Sequence, residues 1–443
     1  MDKKDKKVYK LSNGIKVLII PMDTKLTHVS VSILLGSKHE TKNNIEVTHF
    51  LEHLLGHFIS QKYKDYIYIN KELARRGAHT NAYVSNYETR LFIHGFWRDL
   101  EFFLDLLSNV LSDFHLDKEL AEKERLAVIQ ERQRHISDDH YEFFYEIDKF
   151  LFPKYAYQFD LKRHIKFIKS YDINKLHDFL KTHISLQNMT ISITCPKESV
   201  KKTQSLISKY FGVLQNKNNP KLVYPIYQYK PKQGKIVYIK KPNKDLNVTL
   251  RLYRYKKIEF LSTEHLCLRF LIEVLFNFET GIFFKKLRKE LGIIYSIGMY
   301  IDIDWKDPRS SHYCIYTTAD HLNVPRLIAE ILKIFQSYTL TDEDIENAKN
   351  VIFMDFEYMK FFNLTSYNNH YELFLLHNKP IIERSEILEK YKKVTNKDIR
   401  KYFEIMKHDI MNYGVVFYYS KNNLNKKIKT ALPPGIKYKL QAT

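Results

Sequence analysis

Residues 48–55 read Thr-His-Phe-Leu-Glu-His-Leu-Leu, so His49 and His53 stand four apart with Glu52 just before the second histidine. On a helix, positions i and i+4 lie on one face a turn apart, so both imidazoles can aim at one point. Glu52, three residues after His49, falls beside that face, within reach of a water on a shared metal. Leu51, Leu54 and Leu55 fill apolar stripe positions, and neither Pro nor Gly interrupts before Gly56, so a helix over about 45–57 is expected. The order HxxEH reverses the HExxH of many zinc hydrolases. The five letters alone also suit a histidine satisfied in an apolar core.

A hydrolytic zinc site usually has three protein ligands and one open position. If His49 and His53 are two, a carboxylate from another helix is the natural third. The stretch over about 117–149 reads as one long helix, and it carries Glu124 and Glu131, seven apart and so nearly on one face. Glu131 lies 78 residues beyond His53.

These elements must be positioned by a fold, and the element order indicates one. Residues 7–20 read as two short strands around Leu11-Ser12-Asn13-Gly14, and His28–Leu35 alternates as a half-buried strand. Helices follow over about 45–57 and 65–76, the second ending Arg75-Arg76-Gly77 as helix C-termini prefer. Strands are expected over about 78–84 and 88–96, a helix over about 98–112, then the long stretch, helices near 161–167 and 172–184, a strand at 189–194 and a helix at about 197–210. Strands (235–240, 246–255), helices (260–276, 280–291), strands (293–303, 312–318) and helices (322–337, 342–362, 384–404) repeat the plan, with a last strand at 412–419. The repeat lies in element order, not in letters. It predicts an α+β chain of two similar domains, each an antiparallel sheet with helices packed on one side. The expected division is 1–216 for the zinc-binding catalytic domain, 217–231 for a polar, proline-bearing linker, and 232–443 for a degenerate partner domain contributing substrate contacts. At the helix corresponding to HxxEH the second half has Thr263-Glu264-His265-Leu266-Cys267-Leu268-Arg269, which cannot hold a metal.

The chain resembles the pitrilysin/insulinase family of zinc peptidases, the inverzincin group that includes mitochondrial processing peptidase and insulysin. There HxxEH is followed some 75–80 residues later by two glutamates seven apart, and Glu124-Arg125-Leu126-Ala127-Val128-Ile129-Gln130-Glu131 fits that pattern. The resemblance implies His49, His53 and Glu131 as zinc ligands, Glu52 as general base and Glu124 as a supporting carboxylate behind the ligands. Gly77-Ala78-His79-Thr80-Asn81-Ala82-Tyr83 is similar to the family's edge strand beside the metal, implying substrate contacts at Asn81 and Ala82 by strand addition. Arg288 and Tyr295 match an arginine and a tyrosine that contact substrate in relatives. The chain departs from the family pattern at Leu55-Gly56-His57-Phe58, where Phe-x-Gly is frequent, and at Ala78, where a second glycine is common. His57 is not expected to ligate, because i+8 drifts by about 80° from the His49 direction.

The implied activity is that of a metalloendopeptidase holding one Zn2+ per chain and acting on peptides or extended segments. The alternative is a non-catalytic structural or partner subunit of such a peptidase. Family members enclose substrate between two halves, each a pair of these domains, which implies a homo- or heterodimer with another two-domain chain.

The totals limit other classes. The 443 residues carry 71 Lys+Arg against 51 Asp+Glu, a net charge of +20, with 44% hydrophobic residues and only 12 Gly and 12 Pro. That is a globular composition with room for two or three domains. The charge suits an anionic partner such as nucleic acid, acidic peptide or a membrane surface, but no nucleic-acid signature accompanies it, so solvated surface lysines are the favoured reading and a nucleic-acid partner is not expected. Cys195, Cys267 and Cys314 are too scattered for a disulfide framework or a CxxC site. The N-terminal residues lack the apolar core of a secretory signal and the character of a transit peptide. No apolar run reaches the ~18 residues of a membrane span. A cytoplasmic or other reducing intracellular compartment is expected.

Overall fold

A computed structural model describes residues 6–215, 227–240, 247–358 and 364–442. The chain begins with strands β1 (Lys7–Lys10), β2 (Lys16–Met22) and β3 (Leu26–Ile33), then helices α1 (Val47–Leu55) and α2 (Tyr66–Arg75). Strands β4 (His79–Val84) and β5 (Thr89–Phe96) follow. Helices α3 (Leu100–Ser112), α4 (Lys118–Ser137), α5 (Asp139–Leu151), α6 (Leu161–Ser170) and α7 (Asn174–His183) precede β6 (Met189–Pro196) and α8 (Val200–Phe211). The later part runs β7 (Lys235–Lys240), β8 (Asn247–Tyr255), α9 (Thr263–Phe276), β9 (Ile297–Asp302), β10 (His312–Asp320), α10 (Val324–Ser337) and α11 (Asp342–Tyr358). It ends with α12 (Leu364–Leu376), α13 (Arg384–Lys392), α14 (Asn396–Tyr413), β11 (Val415–Ser420), α15 (Asn425–Ala431) and β12 (Lys439–Ala442).

The first sheet has the order β1-β2-β6-β3-β5-β4 and the second β12-β7-β11-β8-β10-β9. In each, an early and a late strand pair in parallel (β2 with β6, β7 with β11), and the next three strands run antiparallel to their neighbours. Apart from β1 and β12, the five strands of each sheet thus repeat one topology, and the chain is α+β with two similar domains. The outermost strands differ: β1 is antiparallel to β2, whereas β12 is parallel to β7.

The alternation in β3 sets the layers of the first sheet. Thr27, Val29, Val31 and Ile33 share one face, and the last three join a core built with Phe50, Leu51 and Leu54 of α1 and Phe103, Leu104 and Leu107 of α3. His28, Ser30 and Ser32 point to the opposite, polar face, as strand geometry requires. Helix α12 covers that face. Glu372 accepts hydrogen bonds from Ser30 (2.7 Å) and Ser32 (2.6 Å), and Asn368 donates to the carbonyls of His28 (3.2 Å) and Ser192 (3.1 Å). The buried Arg90 on β5 reaches Glu372 at 3.4 Å and donates to Asn369 at 2.6 Å.

The chain separates into two compact units that are not contiguous in sequence: Met1–Ser137, Tyr157–Pro225 and Phe362–Glu383 form the first, and Asp138–Ala156, Ile226–Phe361 and Arg384–Thr443 the second. The division expected from sequence, 1–216 and 232–443, leaves α5 and α12 in the opposite halves. In the second unit α5 packs through Phe143, stacked on Tyr419 at 5.1 Å, and Phe144, whose ring lies 3.7 Å from the Arg251 guanidinium; Tyr419 also donates to Glu142 at 2.5 Å. The long helix expected over 117–149 therefore breaks at Asp138, where the chain passes from one unit to the other. Most of the expected linker, 217–226, lies outside the described residues. The helix expected at 280–291 contains a π-helical turn, Phe284–Glu290.

Candidate metal centre

Helix α1 carries both histidines, and its start is unusual. Its N-cap, Glu46, has φ 67°, in the left-handed region, and is buried. The buried Glu40 supplies the capping that Glu46 does not: its carboxylate accepts from the backbone N–H of Glu46 (2.9 Å) and of Thr48 (2.8 Å) and from the Thr48 hydroxyl (2.6 Å). Val47, Phe50, Leu51, Leu54 and Leu55 bury the apolar stripe, which leaves His49 and His53 on the side facing α4.

Helix α4 brings Glu131 to that side. Its Oε2 lies 3.3 Å from His49 Nε2 and 3.6 Å from His53 Nε2. Among the described residues, His49, His53 and Glu131 form a group that could hold a metal ion, their ligand atoms all within 4.8 Å of one another. The imidazoles meet edge to face, centroids 4.9 Å apart at 85°. Two nitrogens and one carboxylate oxygen suit zinc. The far nitrogens fit that use as well, since a histidine bonding metal through Nε2 carries its proton on Nδ1 and needs an acceptor there. His53 Nδ1 lies 2.9 Å from Glu124 Oε2, and His49 Nδ1 lies 2.9 Å from Glu46 Oε2.

Glu124, placed by sequence behind the ligands, touches two imidazoles. Its second oxygen is 2.9 Å from His57 Nε2. His57 thus enters the site through Glu124 and lies outside the three-residue group. The Glu52 carboxylate is 3.9 Å from His53 Nε2, beside the same centre.

The electrostatics of the metal-free cluster follow from these contacts. Burial opposes a charged His53, but hydrogen bonds to Glu124 and Glu131 outweigh it and hold His53 up at about 9. Hydrogen bonds from His53 and His57 bring Glu124 down to about 2. Those from His49 and His53 hold Glu131 well below the usual carboxylate range. Burial raises Glu52, against the pull of the two imidazoles. Burial would also raise Glu46, but Arg132 and His164 hold it well below its ordinary value.

The proposed substrate residues lie in both units. Strand β4 is the edge of the first sheet. Ala82 is buried and its side chain faces Gly56 at the end of α1, while Asn81 is exposed. The backbone N–H of Ala82 donates to the Asn81 side chain at 2.9 Å. Arg288 and Tyr295 belong to the second unit. Arg288 sits on the π-helical turn, its guanidinium 5.3 Å from the centre of the Tyr295 ring, and Tyr295 is 77% exposed. In the second unit, His265 of α9 is buried, and its Nδ1 accepts from the backbone of Leu261 at 3.0 Å, a structural role.

Sequence reasoning did not identify Glu46, Arg132, His135 or His164. Arg132 Nε donates to Glu46 Oε1 at 2.9 Å, and His164 Nδ1 is 2.7 Å from the same oxygen. Arg132 also lies 3.1 Å from His135 Nδ1, and His135 Nε2 lies 3.7 Å from Glu131. Glu46, three residues before His49, had a usable spacing; nothing local marks His164.

Residues 16–147 match the profile described as insulinase (peptidase family M16), and residues 170–352 match the peptidase M16 inactive domain. An uncharacterized zinc protease of Rickettsia bellii is 24% identical over 357 residues, covering 78% of this chain and 81% of that protein. The beta subunit of mouse mitochondrial-processing peptidase is 30% identical over 123 residues, only 28% of this chain and 25% of that subunit. A crystal structure of a Helicobacter pylori protease superposes with a TM-score of 0.76 at 16% identity, covering 94% of this chain and 99% of that one, a likeness of fold. Matched on both sides of its duplication, the chain belongs to the insulinase family, peptidase family M16.

Proposed function

We propose that this chain is a zinc-dependent metalloendopeptidase that hydrolyses peptide bonds in peptides or extended segments. The carrying observation is the convergence of His49, His53 and Glu131 within 4.8 Å, with the Glu52 carboxylate beside them. His49, His53 and Glu131 would hold the zinc, one ion per chain. Zinc bound there supplies Lewis acidity that acidifies a water and polarises a carbonyl. Glu52 takes a proton from the attacking water on its carboxylate and returns it to the leaving amine nitrogen. Glu124 holds His53 with Nδ1 protonated and Nε2 free. The substrate pairs along β4, drawing the Ala82 N–H away from the Asn81 side chain. Arg288 and Tyr295 of the second unit are proposed as substrate contacts, Arg288 for a substrate carbonyl or carboxylate.

The reading as a non-catalytic partner subunit draws on the inactive-domain match. That match covers residues 170–352, which contain none of His49, Glu52, His53 and Glu131. The deciding experiment is a peptide-library digest with wild type and Glu52→Gln, each with and without a zinc chelator. Wild type is expected to cleave only when zinc is present, and Glu52→Gln to lose roughly 10²–10⁴-fold in rate while still binding zinc. Unchanged cleavage by Glu52→Gln refutes Glu52 as the base. We also propose a homo- or heterodimer with another two-domain chain, which an active monomer in sedimentation would contradict. Three free, buried cysteines are compatible with a reducing compartment. No helix among the described residues is long and apolar enough to cross a membrane.

A further inference from the structure

Glu46 is a residue held in a costly place. A non-glycine in the left-handed region carries steric strain, and a buried carboxylate adds a desolvation cost. Its side chain meets three groups from three elements: His49 Nδ1 (2.9 Å), Arg132 Nε (2.9 Å) and His164 Nδ1 (2.7 Å). The crucial detail is a competition at His49 Nδ1. Arg132 Nη2 lies 3.0 Å from that nitrogen. Arginine can only donate. If Arg132 wins, Nδ1 is the acceptor, the neutral ring carries its proton on Nε2, and the nitrogen facing Glu131 and His53 has no lone pair to offer. If Glu46 wins, Nδ1 holds the proton and Nε2 is free.

We infer that Glu46 is a positioning residue that fixes the tautomer of His49. One oxygen engages Arg132 Nε and draws the guanidinium toward itself, while the other accepts the Nδ1 proton. The left-handed backbone at the start of α1 brings the carboxylate back over its own helix to reach His49 three residues on. Glu46 thus does for His49 what Glu124 does for His53, from the helix terminus instead of a neighbouring helix. The inference rests on the zinc reading of the site.

The test is zinc affinity of the full-length chain, measured by titration against a competing chelator, for wild type, Glu46→Gln, Glu46→Met and Glu46→Met/Arg132→Met. Gln and Met match glutamate in length and share the loss of charge opposite Arg132, so they differ mainly in whether an acceptor faces Nδ1. Glu46→Met is expected to bind zinc about 10–100-fold more weakly than wild type, with Glu46→Gln recovering most of the loss. Removing Arg132 as well should restore part of the affinity, because the competing donor is gone. Equal zinc affinity for the Met and Gln variants overturns the inference. Failure of wild type to bind one zinc overturns the zinc reading itself, and is distinguishable because no variant is involved. A measurement on the unaltered protein stands if the variants do not fold: in zinc-loaded, 15N-histidine-labelled wild type, His49 should show a protonated, exchange-protected Nδ1. A His49 ring lacking a proton on Nδ1 also overturns the inference.

Discussion

Glu124 serves two imidazoles at once, and the consequence is a defined pH response. In the metal-free protein His53 is held up at about 9 and Glu124 down at about 2. A raised histidine stabilises the fold fully below its ordinary value of 6.5, and that contribution disappears as pH rises through about 9. A depressed carboxylate contributes fully above its ordinary 4.5 and loses that contribution as pH falls through about 2. The gap in melting temperature between chelator-treated wild type and Glu124→Gln should therefore be widest between about pH 4.5 and 6.5, and narrow on either side. Zinc must displace the His53 proton, so binding near pH 7 should release protons, read as a dependence of the calorimetric heat on the buffer's ionisation enthalpy. Glu124→Ala should weaken zinc binding about 10–100-fold. At this scale the sequence was legible where chemistry follows a repeat: His49, Glu52 and His53 on one helix, Glu124 and Glu131 seven apart on another. Arg132, His135 and His164 were not, because their roles come from how helices α1, α4 and α6 meet.

Among the elements, α1 depends on a cap from outside itself. Glu40 satisfies two backbone N–H groups and the Thr48 hydroxyl. Glu40→Ala is expected to destabilise the metal-free protein by about 1–3 kcal/mol in a denaturant titration. It should also weaken zinc binding, since the turn it secures carries His49. Strand β4 offers a different test. Ala82→Pro removes the N–H now occupied by Asn81 and should lower kcat/KM on peptides about tenfold, with zinc content unchanged. The sequence pattern revealed α1, β3, β4 and β5 within a few residues, because one apolar face each marks them. It missed α12, for a physical reason. Asn368 and Glu372 face serines and an arginine of the sheet, while Tyr371 and Leu375 pack on Leu18 and Ile20, so polar positions interrupt the apolar periodicity that betrays a core element. The π-helical turn at Phe284–Glu290 was likewise invisible, since a widened turn leaves no mark in residue type.

At the scale of the molecule, the duplication expected from element order is present as one five-strand topology used twice. The contiguous halves expected from sequence do not coincide with the compact units, because each unit takes a helix from the other half of the chain. Residues 1–216 produced alone would lack α12, leaving Arg90 without Glu372 and Asn369. Breaking a buried ion pair costs about 3–5 kcal/mol. That fragment should melt well below the full chain and bind a hydrophobic dye, and co-expression with residues 232–443 should reverse both effects.

The exchange of helices also sets a timetable for synthesis on the ribosome. The last strand of the first sheet ends at Pro196, yet α12 begins only at Leu364 and ends roughly 180 residues after that strand. At ~5–20 residues per second, translation leaves the serine-lined face uncovered for ~10–35 s. Helix α5 emerges before any strand of the sheet it packs against. The nascent protein must wait in a half-dressed state, and α1 and α4, which carry His49, His53 and Glu131 and are both made by residue 137, are finished long before the unit that holds them is closed.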